Sequence, residues 1–261
     1  MKNVKTVFIT GASDGIGKAL AFCFARRGFT VGILARRAEL LEGIARELKS
    51  AGAHQVATYA VDVTDSQAQR QAFLNFENQF GTPEIFIANA GTGSVSHPEV
   101  DDWETVRKTL ELNVMAAVDA LEWMKSKMAL RGSGILSAVS SVAGFRGLPD
   151  SGVYSASKSF IMTYLESLRV DLKPYGVRVV TIIPGYVDTP LTKKNKGKMP
   201  FLIPVAKAAE VFTVGLIRGD RTVVSPWQYK LVIPLLKWLP ASVYEHVLFH
   251  FMKGVRGTRD N

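Results

Sequence analysis

Tyr154 and Lys158 stand four residues apart in the stretch Tyr154-Ser155-Ala156-Ser157-Lys158. On a helix this spacing climbs about 6 Å and returns nearly to the same face, so the ammonium can lie beside the phenol. A neighbouring cation favours phenolate, and bringing a tyrosine pKa from about 10 toward neutrality is a change of roughly 4 kcal/mol. A tyrosine shifted in this way can give or take a proton near ordinary pH. Thirteen residues earlier, Ser141 follows an apolar run and offers a hydroxyl that could hold a substrate oxygen in place. Ser137 and Ser140 belong to the same segment, and each of the three serines also suits a strand-end hydroxyl bonded to backbone. Taken alone, a Tyr and Lys pair at this spacing is more often a surface contact than a catalytic one, so its meaning depends on the rest of the chain.

A second constellation lies near the amino terminus: Thr10-Gly11-Ala12-Ser13-Asp14-Gly15-Ile16-Gly17. Gly11 permits a sharp turn, Gly15 lets backbone approach a pyrophosphate, and Gly17 allows close packing of helix on strand. The helix amino terminus that opens here favours an anion. The spacing differs from G-x-G-x-x-G, but the position between an apolar strand and a helix is the context that such a cradle requires. At the end of the next strand stands Ala35-Arg36-Arg37, with no carboxylate. A ribose 2′-hydroxyl calls for an acid at this place and a 2′-phosphate for arginine, so the pattern selects NADP(H) before NAD(H), although both arginines also suit solvated loop positions. Asp62-Val63, after the third strand, offers a polar and an apolar contact for adenine, or a turn cap.

These groups need elements to position them. Short apolar runs at 4–10, 30–35, 55–61, 85–89, 134–140, 177–183 and 222–225 alternate with helical patterns at 16–27, 38–51, 65–80, 101–130, 153–175 and 205–218. Near-continuous apolar strands belong to a parallel sheet covered on both faces. Asp65 reads as an N-cap, and Gly28, Gly52, Gly81 and Gly176 follow helix ends. Right-handed crossovers wind such a series into a doubly wound α/β sheet of about seven strands, with ligands beyond the carboxyl ends of the strands.

Composition narrows the function. The chain has 261 residues, 47% of them apolar, which fits one domain with a substantial core. Its single cysteine, Cys23, provides neither a disulfide framework nor a zinc cluster, and fits a reducing, cytoplasmic setting. The apolar run near the amino terminus is too short for a signal peptide. The net charge of +9 is scattered, and its densest group, Lys193, Lys194, Lys196 and Lys198, lacks interleaved aromatics, so nucleic acid is not the expected partner. A dinucleotide's phosphates are the simpler anionic ligand.

Taken together, the motifs resemble the short-chain dehydrogenase/reductase family. Thr10 to Gly17 is similar to its T-G-x-x-x-G-x-G segment, Asn89-Ala90-Gly91 to its N-A-G segment, and Ser141, Tyr154 and Lys158 to its serine and Y-x-x-x-K. The resemblance runs from residue 4 to about 225 and implies a Rossmann-like fold and a hydride exchanged between NADP(H) and a small-molecule carbonyl or alcohol. It also implies that Asn113 links Lys158 to solvent through water, and that Pro184, Gly185, Val187 and Thr189 border the nicotinamide. It further implies a homo-oligomer, a dimer or tetramer, formed through the helices that carry Asn113 and Tyr154. Two positions depart from the family pattern. Ala88 replaces the first asparagine of the N-N-A-G form, and Asp14 stands where some NADP(H)-preferring relatives carry a base.

Residues 190–204, rich in Lys, Pro and Gly, read as a lid over the ligand or as a plain surface loop, with Tyr186, Leu148, Pro149 and Leu191 as apolar walls. Residues 226–261 form an apolar, helical extension too interrupted to cross a bilayer. It can cap the cleft, pack between subunits, lie in a membrane interface or join the core. His246 and His250 lie one helical turn apart with no ligand-bearing neighbours, so no metal is expected. A cleft bordered by this tail suits a lipophilic ketone or alcohol. The alternative to an enzyme is a catalytically silent protein that keeps the cofactor fold for regulation or membrane-surface contact.

Overall fold

A computed structural model of the chain describes residues 5–94, 99–194 and 199–256. Six strands come first: β1 Thr6–Thr10, β2 Thr30–Ala35, β3 Gln55–Ala60, β4 Ile85–Ala88, β5 Gly134–Val139 and β6 Val177–Pro184. Two short strands, β7 Val187–Asp188 and β8 Ile203–Pro204, pair only with each other, and β9 Thr222–Ser225 completes the main sheet. That sheet is parallel throughout, in the order β3-β2-β1-β4-β5-β6-β9. Strand order reverses between β1 and β4, which opens a crevice at their carboxyl ends.

Alternate side chains on each strand serve different layers, as the two-residue period of a strand requires. Val7 and Ile9 join Val31, Ile33, Val180 and Ile182 beneath α1 Gly15–Ala25, α2 Ala38–Ser50 and α7 Val205–Arg218. Phe8, Leu34, Phe86, Leu136 and Val179 face α3 Ser66–Phe80, α5 Ala116–Arg131 and α6 Gly152–Asp171. Asp65 caps α3, its carboxylate accepting from Ala68 N at 3.0 Å. Gly28, Gly52, Gly81 and Gly176 all take positive φ after helix ends.

Strand β3 lies at an edge and alternates between exposed and half-buried residues, so it departs from the near-continuous apolar pattern. The helix expected over 101–130 is broken. It comprises α4 Trp103–Leu110, capped by Asp102, a π-turn at Glu111–Met115, and then α5. A π-turn of this kind shifts the helix face by one residue, which apolar spacing does not register, and such turns recur at functional sites. The helix expected over 153–175 stops at Asp171 and gives way to a 3₁₀ turn at Lys173–Tyr175, where Pro174 cannot continue the hydrogen-bond ladder. After β9 come α8 Tyr229–Trp238 and α9 Ala241–Arg256, with Pro234 inside α8. No helix among the described residues is long and apolar enough to cross a membrane.

Phe8 is fully buried, and its ring centroid lies 5.2 to 6.0 Å from those of Tyr59, Phe73, Phe76 and Phe86. Truncating this hub removes burial and leaves a cavity that four rings cannot fill. Phe8→Ala should lower unfolding free energy by about 3–5 kcal/mol, read as a reduced urea midpoint. A loss below about 1 kcal/mol would refute the central role of this ring.

Candidate active site

A cleft of about 750 Å³ lies over the carboxyl ends of the strands. Its walls include Gly11, Ser13, Asp14, Gly15 and Ile16 from the first turn, Arg36 and Arg37 after β2, and Asp62 and Val63 after β3. Asn89, Ala90 and Gly91 follow from β4, Ser141, Tyr154 and Lys158 from β5 and α6, and Pro184, Gly185, Val187 and Thr189 from the end of β6 onward. Of the residues expected to hold the cofactor or take part in catalysis, only Gly17 and Asn113 stand behind this wall, both buried. Of the four expected apolar walls, Leu191 lines the cleft, while Tyr186, Leu148 and Pro149 do not.

The glycine turn owes its shape to how closely β1 and β4 approach each other. Gly11 has φ +66°, and a Cβ there would lie 2.6 Å from Ala90 Cα. A Cβ on Gly17 would lie 2.4 Å from Asn89 Nδ2 and 2.5 Å from the Gly11 carbonyl. Asn89 Nδ2 donates to the carbonyls of Thr10 and Gly11 at 2.9 and 3.0 Å, while Thr10 Oγ1 accepts from the amides of Asn89 and Ala90. Asn89 therefore braces the turn. Asp14 caps α1, its carboxylate accepting from Gly15 N at 2.7 Å.

At the β2 end, Arg37 donates to Ser13 Oγ at 3.0 Å, and Arg36 lies 3.6 Å from the Asp62 carboxylate. Burial pushes the Asp62 carboxyl up, but two hydrogen bonds from Thr64 and the Arg36 charge outweigh it and hold it below its ordinary value. The two arginines thus have different neighbours: Arg37 joins the glycine turn, and Arg36 leans toward the position read from sequence as an adenine contact.

At the other end, the structure separates the three serines. Ser137 Oγ is sealed in the core without a partner, and Ser140 Oγ donates to the Lys158 carbonyl at 2.7 Å. Ser141 Oγ accepts from Ala143 N at 3.1 Å and lies beside the Tyr154 hydroxyl. Lys158 is buried, donates to the Val139 carbonyl at 3.0 Å, and places Nζ 5.9 Å from the centroid of the Tyr154 ring.

The electrostatics of this pair differ from the sequence expectation. Burial pushes the Tyr154 phenol above its ordinary value, Ser141 pulls it down in part, and Tyr186 adds to the rise. Burial also lowers Lys158 to about 8. Both shifts move a group away from its charged form, as desolvation dictates. The helical spacing does bring Lys158 next to Tyr154, but its ammonium is turned to a backbone carbonyl.

Asn113 sits in the π-turn. Its Oδ1 accepts from Thr92 N at 2.8 Å, and its Nδ2 donates to the Thr92 carbonyl at 2.9 Å and to Ser157 Oγ at 3.1 Å. Ser157 Oγ donates in turn to the Tyr154 carbonyl at 2.7 Å. Gly91 lies between Asn113 and Lys158, and a Cβ there would lie 3.2 Å from Asn113 Oδ1 and 3.3 Å from Lys158 Nζ. Thr92 and Ser157 went unremarked in the sequence. The first directly follows Asn89-Ala90-Gly91 and the second lies inside the Tyr154 to Lys158 stretch, so adjacency alone was the available signal.

The tail packs beside the carboxyl ends of β6 and β9. Tyr229, Val232 and Ile233 of α8 cluster with Ile183, Val224, Phe145 and Tyr186. The Tyr229 ring sits against Gly185, where a Cβ would lie 2.2 Å from it, and its hydroxyl donates to the Pro200 carbonyl at 3.1 Å. Arg146 donates to the carbonyls of Leu236 and Leu239, and Tyr244 donates to the Gly147 carbonyl at 2.8 Å. Among the described residues, no group of three or more His, Cys, Asp or Glu side chains could hold a metal ion.

Comparison with known proteins agrees with this geometry. Residues 5–199 match the family described as short chain dehydrogenase. An uncharacterized oxidoreductase of Myxococcus xanthus is 39% identical over 241 residues, covering 92% of this chain and 95% of that protein. The 11-beta-hydroxysteroid dehydrogenase A of Sesamum indicum is 30% identical over 92% of this chain and 75% of its own length. An alcohol dehydrogenase from the archaeon Thermococcus sibiricus, solved with 5-hydroxy-NADP, superposes with a TM-score of 0.76 at 26% identity, covering 85% of this chain and 95% of that one. With its cradle, its Ser, Tyr and Lys set and its sheet order all in place, this chain belongs to the short-chain dehydrogenase family of NAD(P)-dependent oxidoreductases.

Proposed function

We propose that the protein is an NADP(H)-dependent carbonyl reductase or alcohol dehydrogenase for a lipophilic substrate, with Tyr154 as general acid and base. The observation that carries this reading is a single cleft with Ser13, Arg36 and Arg37 at one end and Ser141, Tyr154 and Lys158 at the other. The residues fit the dinucleotide. Gly15 has φ +53° at the amino end of α1, where helix amides favour a phosphate. Of the two guanidiniums after β2, Arg37, bonded to Ser13 beside the glycine turn, is offered to a 2′-phosphate, with Arg36 beside Asp62 next to it. The Thermococcus sibiricus neighbour, solved with an NADP derivative, supports the same assignment.

When bound, the dinucleotide supplies or accepts the hydride. The chain's own residues manage the proton. The neutral Tyr154 hydroxyl donates to the substrate oxygen during reduction, while Ser141 holds that oxygen by a hydrogen bond. Asn113, fixed by Thr92 and Ser157, and Lys158 form the inner side, from which the phenol recovers its proton. Burial raises the phenol pKa and keeps Tyr154 in its protonated, donating form in the dinucleotide-free protein.

Leu191 supplies an apolar wall of the cleft, and Tyr186 packs with the inner side of α8, while Leu148 and Pro149 lie outside the cleft's lining. The sesame relative's hydroxysteroid supports a bulky, lipophilic substrate class. Residues 190–204 act as the lid: β7 and β8 tie its ends and Leu191 packs within 3.3 Å of a Cβ position on Gly93, while 195–198, with Lys196 and Lys198, lie outside the described residues. The enzyme works in the cytoplasm as a homo-oligomer through α5 and α6.

Three outcomes test this reading. Tyr154→Phe should lower NADPH oxidation with a ketone panel by at least about a thousandfold, in the range of a lost general acid, with NADPH binding by fluorescence titration intact; unchanged turnover sinks the assignment. Arg37→Ala should weaken NADPH binding by roughly 1–3 kcal/mol, as for a lost charge-assisted bond, with little change for NADH; equal losses for both would remove Arg37 from the 2′-phosphate site. The third concerns Lys158, whose folded pKa near 8 lies below its unfolded value of 10.5. Between these values the unfolded chain binds the extra proton, so stability attributable to Lys158 rises with pH, by up to about 3 kcal/mol. Urea unfolding of dinucleotide-free protein and of Lys158→Met should therefore diverge in favour of the native residue from pH 8 to 10.5, and parallel curves would contradict it.

A further inference from the structure

Helix α8 has two apolar sides, and only one is used by the cleft. Trp227, just before the helix, and Leu231, Leu235 and Trp238 within it follow at steps of four, four and three residues, which places them along one side. They are 63%, 64%, 72% and 87% exposed. Val243 and Val247 extend the exposed apolar surface onto α9. Scattered exposed apolar residues are ordinary, but a contiguous row of this size marks a surface that something covers.

Charge identifies the covering phase. The chain carries no Asp or Glu between Asp220 and Glu245, while the exposed Lys230 flanks the row and Lys237 rests with its ammonium 5.1 Å from the centroid of the Phe145 ring. Across residues 226–261 the five cations Lys230, Lys237, Lys253, Arg256 and Arg259 are set against only Glu245 and Asp260. A second copy of this chain would bring the same lysines against their equivalents without an intervening acid, which opposes self-association through this face. An anionic bilayer surface satisfies every part of the pattern. Leucines enter the acyl boundary, tryptophans sit at head-group level, and lysine stems reach up to phosphate.

We infer that the outer side of α8, from Trp227 to Trp238, docks the protein on an anionic lipid surface. The helix lies in the interface plane and does not span it. Because Tyr229, Val232 and Ile233 on its other side pack with Tyr186 and Phe145, the docked helix is also the outer support of the cleft wall. A lipophilic substrate dissolved in the bilayer would then lie one helix thickness from the site.

Flotation of the full chain with phosphatidylcholine vesicles, with and without phosphatidylserine, tests this independently of turnover. The intact protein should float with the serine-containing vesicles and at least about fivefold less with phosphatidylcholine alone, the effect of about one lysine near an anionic surface. Leu231→Gln with Leu235→Gln should reduce partitioning by roughly a hundredfold, as two lost leucine insertions imply, and Lys230→Glu by about fivefold or more. Melting midpoint and NADPH oxidation on a water-soluble ketone should stay unchanged in both variants. Absence of flotation, equal flotation with the two vesicle types, or full flotation of the double leucine variant overturns the proposal. So does light scattering that shows the double variant falling from dimer to monomer while the intact protein does not float.

Discussion

The site rests on the contact between the turn after β1 and the loop after β4. Gly11 against Ala90, and Gly17 against Asn89, leave no room for a side chain, and Asn89 donates hydrogen bonds to Thr10 and Gly11 across the gap. This seam is where strand order reverses, so everything that meets a ligand is placed relative to it. The arginines after β2 lie to one side of the seam. Ser141, Tyr154 and Lys158 lie to the other, carried by strands and helices whose register follows from pairing with β4. A single methyl group at Gly11 or Gly17 would push the two halves apart and misalign both ends of the cleft.

Much of this was legible before the fold was seen. Strands β2 and β9 and helix α7 agree with their expected bounds, because a buried parallel strand is nearly all apolar and an amphipathic helix has a clear period. The cradle, the arginines and the Tyr and Lys pair were legible too, since each depends on spacing along one element. What failed to show depends on contacts between elements. The π-turn at Glu111–Met115 leaves the apolar pattern unchanged, yet it sets where Asn113 points. Which of three serines faces the cleft is decided by the exit path of β5, and Thr92 and Ser157 matter only through Asn113. The small β7 and β8 pair is too short to leave a period at all.

The tail illustrates the same division. Its apolar character and its lack of a spanning segment are plain from the residue sequence, but an apolar helix does not announce which side is buried. Arg146 settles this for α8 by gripping the carbonyls at its end, and Tyr229 by filling the space that Gly185 leaves. One side is thereby committed to the cluster with Phe145 and Tyr186, and the leucines and tryptophans of the other are left facing outward.

Burial explains why the reactive pair departs from the picture that spacing suggests. A cation four residues from a tyrosine lowers the phenol's pKa only if the ammonium is charged and directed at the oxygen. Here low dielectric acts on both groups before they act on each other: it holds Tyr154 protonated and brings Lys158 down to about 8. The pair is thus set toward neutrality from both sides, with Lys158 anchored on the Val139 carbonyl and not on the phenol. A neutral phenol beside a serine hydroxyl is in a form that can donate a hydrogen bond to an oxygen in the cleft. The shifts of both groups therefore follow from how deeply α6 seats its first turn, and not from the spacing of the pair along it.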